Sequence, residues 1–211
     1  MKKIIALAVA AITLVSSTFA LDFSLGGRAI LGTNIAAESS IKETVTGLKP
    51  DSSFDFGGGI YANFALLGGL GVQAEANIIN STVSFNDGNL QNTKTQTLQL
   101  DVPLMVWLNL DLWKFTFGFG AGANFGTTLV ALDDVTTLSK DSFKIGLAAG
   151  ADVKFYLTKH LGIVASGRYI MDFKKDERPI EVAGYEAGSY PTIEYTRRSL
   201  YATLGLEFKL F

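Results

Sequence analysis

Charged residues of both signs recur at every second position of segments that are otherwise apolar or rich in glycine. Because side chains two apart share one face of a β-strand, these charges share a face with each other. A charge taken out of water must be paired, so we interpret the set as a charge-paired network, with a polar pathway or gate as the alternative. The members at similar depth or near mid-height are Arg28, Glu75, Asp101, Asp152, Lys154, Arg168 and Glu207.

The residue inventory argues against catalysis. The chain has no cysteine and one histidine, His160, which lies in a predicted short turn. Thiolate or imidazole metal clusters and a Ser-His-acid triad are therefore not expected. The alternating glycines Gly118, Gly120 and Gly122 lie on one face of a strand with no helix after it, which is not a phosphate-binding loop. We predict a protein that is not an enzyme, with no catalytic, cofactor-binding or metal-binding residue.

Eight segments alternate with period two, which predicts eight β-strands. The last is the clearest, with apolar residues from Leu200 to Leu210 on one face and polar or small residues on the other. No later stretch after the N-terminal segment is long and apolar enough for a membrane helix. The predicted strands are 22–35, 53–66, 70–78, 97–110, 113–126, 143–157, 161–174 and 199–211.

Two irregularities interrupt the alternation. Ile30 breaks the polar face of the first strand, and Ile79, with two later apolar residues, falls on the polar side of the third. A bulge near Ile79 or Asn80, or exit from the membrane, would explain the second break. Pro103 has no backbone donor, so it must lie at a bulge or an unpaired position.

The connections between strands alternate in length. Short ones lie near Gly68, Asp111 and Lys159, and long polar ones span 38–52, 86–93, 130–141 and 175–196. This alternation predicts an all-β, eight-stranded antiparallel up-and-down transmembrane β-barrel, in which the first and last strands pair. The alternative is a soluble lipocalin-like barrel with its apolar face inside. Glycine-rich polar faces and aromatic residues near strand ends favour an apolar exterior.

The N-terminus reads as an export signal. Lys2 and Lys3 precede an apolar core and a small-residue exit at Ala20, which predicts a signal peptide over 1–20 and a barrel domain over 21–211. Removing the two lysines leaves 16 basic and 20 acidic residues, a net charge of −4, which argues against nucleic-acid binding.

The leader, the eight strands, the alternating connections and the terminal Phe211 together resemble the small bacterial outer-membrane barrels: OmpX, the OmpA transmembrane domain and OmpW-like proteins. The resemblance implies a Gram-negative-type outer membrane, periplasmic termini and insertion by the outer-membrane assembly machinery. That machinery would read the last strand, so Phe208, Leu210 and Phe211 form the expected assembly signal. The apolar face ends at Leu210, so Phe211 lies out of phase with it.

These features predict a monomer with a largely plugged lumen, which acts through its surface loops or in envelope integrity. Its expected partners are outer-membrane lipid, the assembly machinery and an extracellular or host protein, with no cofactor. The candidate loop contacts are Tyr185, Tyr190 and Tyr195. The alternative is an OmpW-like channel for small hydrophobic molecules, with a lateral opening near Pro103.

Overall fold

A computed structural model of the chain describes residues 22–34, 37–41, 49–51, 53–65, 69–86, 93–131, 143–179 and 192–210. Within these ranges, no helix has the length and apolar character needed to cross a membrane. The strands, in chain order, are β1 (Asp22–Asn34), β2 (Ala37–Ile41), β3 (Lys49–Asp51), β4 (Ser53–Ala65), β5 (Leu70–Asn86), β6 (Thr93–Leu112), β7 (Phe115–Ala131), β8 (Lys144–Tyr156), β9 (Leu161–Asp172), β10 (Asp176–Pro179), β11 (Thr192–Thr196) and β12 (Arg198–Lys209).

Eight of these strands close into a barrel in the order β1, β4, β5, β6, β7, β8, β9 and β12. Every neighbouring pair is antiparallel, and β12 returns to pair with β1, for example at Leu25 and Phe208. The closed ring leaves no exposed sheet edge around the barrel wall. The predicted eight-stranded up-and-down barrel and the pairing of its first and last strands are confirmed.

Short β-strands occur in two stretches that the sequence predicted as loops. β2 and β3 lie within 38–52 or at its edge, and β10 and β11 lie within 175–196. β10, β11 and β2 form a separate three-stranded sheet, and β3 extends the barrel by pairing with β5. The loop prediction was wrong there because it relied on polar composition, whereas backbone groups beyond the wall still need hydrogen-bond partners.

The outer face of the barrel is apolar. On β12, Leu200, Leu204, Leu206 and Phe208 are exposed, while the intervening Ser199, Tyr201, Thr203 and Glu207 are buried in the interior. The other barrel strands show the same division between outward apolar and inward polar side chains. The apolar face is therefore outside, and the lipocalin-like arrangement is wrong.

The register around Ile79 is unbroken, so the bulge predicted near Ile79 or Asn80 is wrong. Gly57 pairs with Ile79 and Phe56 with Asn80 in one continuous ladder. Ile79 is fully buried and Ile30 nearly so, which places both inside the barrel. Among the described barrel ladders, the register shift falls instead between Leu98 and Gln99 of β6.

On the side that faces β5, Pro103 occupies an unpaired position, with no register shift beside it. The β5–β6 ladder pairs Ala74 with Leu104 and Asn77 with Asp101, and the two positions between them on each strand carry no pairing. On its other side, Pro103 faces Asn124 in the regular β6–β7 ladder. The missing donor therefore interrupts one ladder locally and leaves the register unchanged on both sides.

The barrel has two unlike rims. We call the end with the tight connections Trp113–Lys114 and 157–160 the short-turn rim, and the opposite end, where β1 finishes and β12 begins, the long-loop rim. Trp113 has a positive φ of 57°, in the left-handed region, as has Gly69 with 79° at another short connection. Such φ values fit the tight hairpin turns expected at this rim.

Candidate functional site: the packed lumen

A buried ion-pair network crosses the lumen near mid-height. Glu75, on β5, accepts hydrogen bonds from Arg28 Nη2 of β1 and from Arg168 Nε of β9, the latter at 2.9 Å. Arg168 also donates through Nη1 to Asp152 Oδ1 of β8 at 2.6 Å. The two guanidinium groups and two carboxylates balance in charge, and all four side chains are almost fully buried. We call this set the middle layer.

The wall around Arg168 is shaped to hold its side chain. The Arg168 guanidinium lies over the indole of Trp107, with 4.7 Å from Cζ to the ring centroid, a cation–π arrangement. A Cβ on Gly150 would come within 2.6 Å of Arg168 Nη1 and 2.7 Å of its Cδ. Glycine at that position therefore gives the arginine room to reach across the barrel.

A second buried pair lies closer to the short-turn rim. Lys154 Nζ donates to Glu207 Oε2 at 2.7 Å, and both side chains are buried. The hydroxyls of Tyr61 and Tyr156 also donate to the Glu207 carboxylate, at 2.9 and 2.5 Å. Glu207, on β12, is thereby joined to β4 and β8. We call Lys154, Glu207, Tyr61 and Tyr156 the short-turn layer.

A third ion pair lies toward the long-loop rim and depends on an arginine that the sequence reasoning missed. Arg197, between β11 and β12, donates hydrogen bonds through both terminal nitrogens to the Asp101 carboxylate, with 3.2 Å from Nη1 to Oδ1. Asn124 Nδ2 donates to the same oxygen at 3.1 Å, and Arg197 Nη2 lies 3.1 Å from the Tyr201 hydroxyl. We call Asp101, Arg197 and Asn124 the long-loop layer. The sequence did contain a signal for this arginine. Arg197 is two residues before Ser199 and four before Tyr201, so it continues the inward-facing positions of the last strand beyond its predicted start.

An apolar layer separates the middle and long-loop layers. Ile30, Ile79, Ile170 and Tyr201 form a buried cluster inside the barrel. Ile30 and Ile170 each lie two residues beyond an arginine of the middle layer, while Tyr201 contacts Arg197 of the long-loop layer. Met105, Trp107 and Ala148 form a second buried cluster in the lumen. The interior is thus a stack of ion pairs and hydrocarbon, which fits the narrow bore of eight strands.

The structure brings all seven predicted lumen charges into this stack. Arg28, Glu75, Asp152 and Arg168 form the middle layer, Lys154 and Glu207 pair beside it, and Asp101 pairs with Arg197 instead of with another predicted residue. His160 lies on the short-turn rim, exposed, with Nδ1 2.9 Å from the Lys209 carbonyl oxygen. Among the described residues, no group of three or more His, Cys, Asp or Glu side chains is placed to hold a metal ion.

Of the remaining predicted residues, three lie among those that the structure describes. Phe208 and Leu210 face outward on the closing strand and are partly exposed. Tyr195 lies in β11, where its backbone pairs with Asp176. Tyr185, Tyr190, Phe211 and the predicted signal peptide over 1–20 lie outside the described residues.

Comparison with known proteins gives one family match and several matches of fold. The outer membrane protein OprG from Pseudomonas aeruginosa aligns with a TM-score of 0.68 at 17% identity, over 90% of this chain and 95% of that chain. Neisserial surface protein A (NspA) aligns with a TM-score of 0.53 at 13% identity, over 88% and 96%. Among curated proteins, no sequence matches significantly. The profile of the "Outer membrane protein beta-barrel domain" family matches residues 5–208, so the chain belongs to that family of outer-membrane β-barrels.

Proposed function

We propose that this barrel is closed to ions and solutes along its axis, and that it acts through its long loops at the cell surface or in the integrity of the envelope. The apolar layer of Ile30, Ile79, Ile170 and Tyr201, packed between ion-pair layers, is the observation that supports a closed lumen. A hydrophobic constriction excludes ions because they would have to shed water without gaining a partner. No reaction is part of this proposal.

We propose an orientation with both termini in the periplasm, as the predicted export signal and the resemblance to small outer-membrane barrels imply. With residues 1–20 removed after export, both ends of the barrel chain would face the periplasm, and the long-loop rim would face outward. The stretch 180–191, between β10 and β11, would then lie on the outside, where Tyr185 and Tyr190 are candidate contacts for an extracellular protein. A rigid barrel that presents variable connections is a common way for such scaffolds to bind partners.

Planar-bilayer conductance tests the closed lumen. The folded wild-type protein should show no stable channel, whereas the variant Ile30→Ala, Ile79→Ala, Ile170→Ala should conduct, because it truncates three of the four side chains of the apolar layer. The matched control replaces three outward isoleucines, Ile60, Ile145 and Ile163, with alanine and should remain closed. A stable wild-type channel would overturn the proposal, as would equal conductance in both triple variants.

A second candidate function is lateral passage of small hydrophobic molecules through the wall. The interruption of the β5–β6 ladder beside Pro103 favours it, since two consecutive positions there lack pairing. An opening of this kind would let an apolar solute leave the barrel into the bilayer without crossing the sealed axis. Entry of an apolar dye into vesicles should then be faster with the wild-type protein than with Pro103→Val, which restores the backbone donor. Equal rates for the two proteins, matching protein-free vesicles, would exclude this candidate.

A further inference from the structure

An oblique apolar groove crosses the outer face of the wall and passes over β6, the strand that carries Pro103. Its volume is about 770 Å³, and it runs from β12 and β9 across β8 and β7 to the start of β5. Leu200 and Tyr169 border it at one end, and Leu70 and Leu108 at the other. The floor consists of small residues, namely Ala121, Ala149, Ala151 and Gly167.

Packing inside the barrel does not require glycine at the floor of this groove. A Cβ built on Gly167 would meet no other atom within 4 Å, and its φ is not in the left-handed region. The neighbouring Gly150 is different, because its Cβ would overlap the Arg168 side chain in the lumen. Glycine at 167 therefore leaves space on the membrane side alone, which suits an occupant outside the protein.

The groove has the dimensions of a lipid chain. Its central row follows the hydrogen-bonding direction, through the register pairs Val106–Ala121, Ala121–Ala149, Ala149–Tyr169 and Tyr169–Leu200. From β12 to β5 it spans five strand spacings, about 24 Å. Because barrel strands tilt by about 35–45°, such a row traverses roughly 15 Å of depth, close to one leaflet of a bilayer core.

The end of the groove near the long-loop rim is positively charged. Arg198 pairs with Met171, two residues along the ladder from Leu200 and Tyr169, and it points outward because its neighbours Arg197 and Ser199 are buried inside. Arg198 Nε is buried and has no hydrogen-bond partner in the protein. Lys174 and Lys175 lie just beyond the end of β9, after Phe173, and are exposed. The outward positions of β8, β9 and β12 include no acidic residue.

We propose that this groove binds an anionic phospholipid of the leaflet at the long-loop rim. One acyl chain would lie over Ala149, Ala151 and Gly167, and the guanidinium of Arg198 would bind the phosphate. The phenol of Tyr169, at the same end, would donate to an ester or phosphate oxygen. Hydrocarbon contact alone would hold any lipid, so the arginine supplies the preference for negative charge.

Lipid retention by the purified barrel tests this site. The protein is refolded in dimyristoyl phosphatidylcholine containing a minor fraction of dimyristoyl phosphatidylglycerol, extracted in mild detergent and weighed by native mass spectrometry. Wild-type protein should retain one phosphatidylglycerol in preference to phosphatidylcholine. Arg198→Gln should lower that preference by about tenfold, the effect of losing one charge-assisted hydrogen bond. Gly167→Leu should reduce retention of both lipids, because its side chain fills the groove.

The matched control is Gly58→Leu. Gly58 also faces outward, and a Cβ there meets only the Arg28 carbonyl oxygen, at 3.6 Å, yet it lies outside this groove. Gly58→Leu should retain phosphatidylglycerol as the wild type does, and the mobility shift on boiling confirms that each variant is folded. If Gly167→Leu does not fold, Ala149→Leu replaces it. Equal wild-type retention of the two lipids would overturn the proposal, as would values for Arg198→Gln equal to those for Gly58→Leu.

Discussion

Replacing Glu75 with glutamine should destabilise the barrel strongly, although the two side chains have nearly the same shape. The Glu75 carboxylate accepts from Arg28, from Arg168, from Gln73 Nε2 at 2.7 Å and from Asn77 Nδ2 at 3.3 Å. Neutralising it leaves two buried guanidinium groups and one carboxylate in the middle layer, a net charge of +1. Removing one partner of a buried ion pair costs about 3–5 kcal/mol, and we expect that loss here.

Urea unfolding of the protein in phosphatidylcholine vesicles measures this cost. Trp107 is fully buried against Arg168, so its fluorescence should follow loss of the lumen packing. Asp22→Asn is the matched control, because Asp22 forms an ion pair with Lys209 of 2.7 Å at the exposed short-turn rim. An exposed pair contributes about 0–1 kcal/mol, so the control should unfold close to the wild type.

A double variant separates uncompensated charge from lost packing. Glu75→Gln with Arg28→Gln restores neutrality in the middle layer, so it should cost less than the sum of the two single changes. Strict additivity, or a Glu75→Gln cost no greater than that of Asp22→Asn, would refute the view that paired charge holds this layer together.

Two further contrasts test the wall of the barrel. Leu206→Arg places a charge on the lipid face, which costs about 2–4 kcal/mol at the bilayer midplane. The yield of protein in the outer membrane should therefore fall further with Leu206→Arg than with Phe211→Ser. Equal yields would contradict this ranking. Gly120→Ala should lower the free energy of unfolding by about 1–3 kcal/mol, and with it the urea midpoint, since its Cβ would overlap the Trp107 ring, whereas Gly167→Ala should not. Equal midpoints for these two variants would show that the overlap is relieved elsewhere.

The strand pattern was predictable because two unlike environments meet across one sheet. On β12 the alternation from Leu200 to Leu210 identifies both faces without any knowledge of partners. Ile30 and Ile79 were harder, since an alternation rule treats an apolar residue on the polar side as an error or a bulge. In a barrel of eight strands the lumen is itself a packed core, so hydrocarbon belongs there as well as charge.

Pairing between distant residues was less accessible to sequence reasoning. Counting residues along each strand from the short-turn rim placed Arg28, Glu75 and Asp152 at a similar depth. That count could not show that Asp101 would form its ion pair with Arg197. That partner lies between β11 and β12, just before the predicted start of the last strand. The pairing depends on the relative shift of non-adjacent strands, which only the closed register supplies.

The middle layer also constrains how the barrel can be assembled. Its four charged side chains come from β1, β5, β8 and β9, and Arg168 and Glu75 are 93 residues apart in the chain. Glu207, on β12, accepts from Tyr61 on β4, across the seam between the last strand and the first. The hydrogen bonds from Arg168 to Glu75 and from Tyr61 to Glu207 join strands that come together only when the sheet closes, so these groups must keep water as a partner until then. Sealing of the seam and expulsion of water from the lumen should therefore occur as one event, late in insertion.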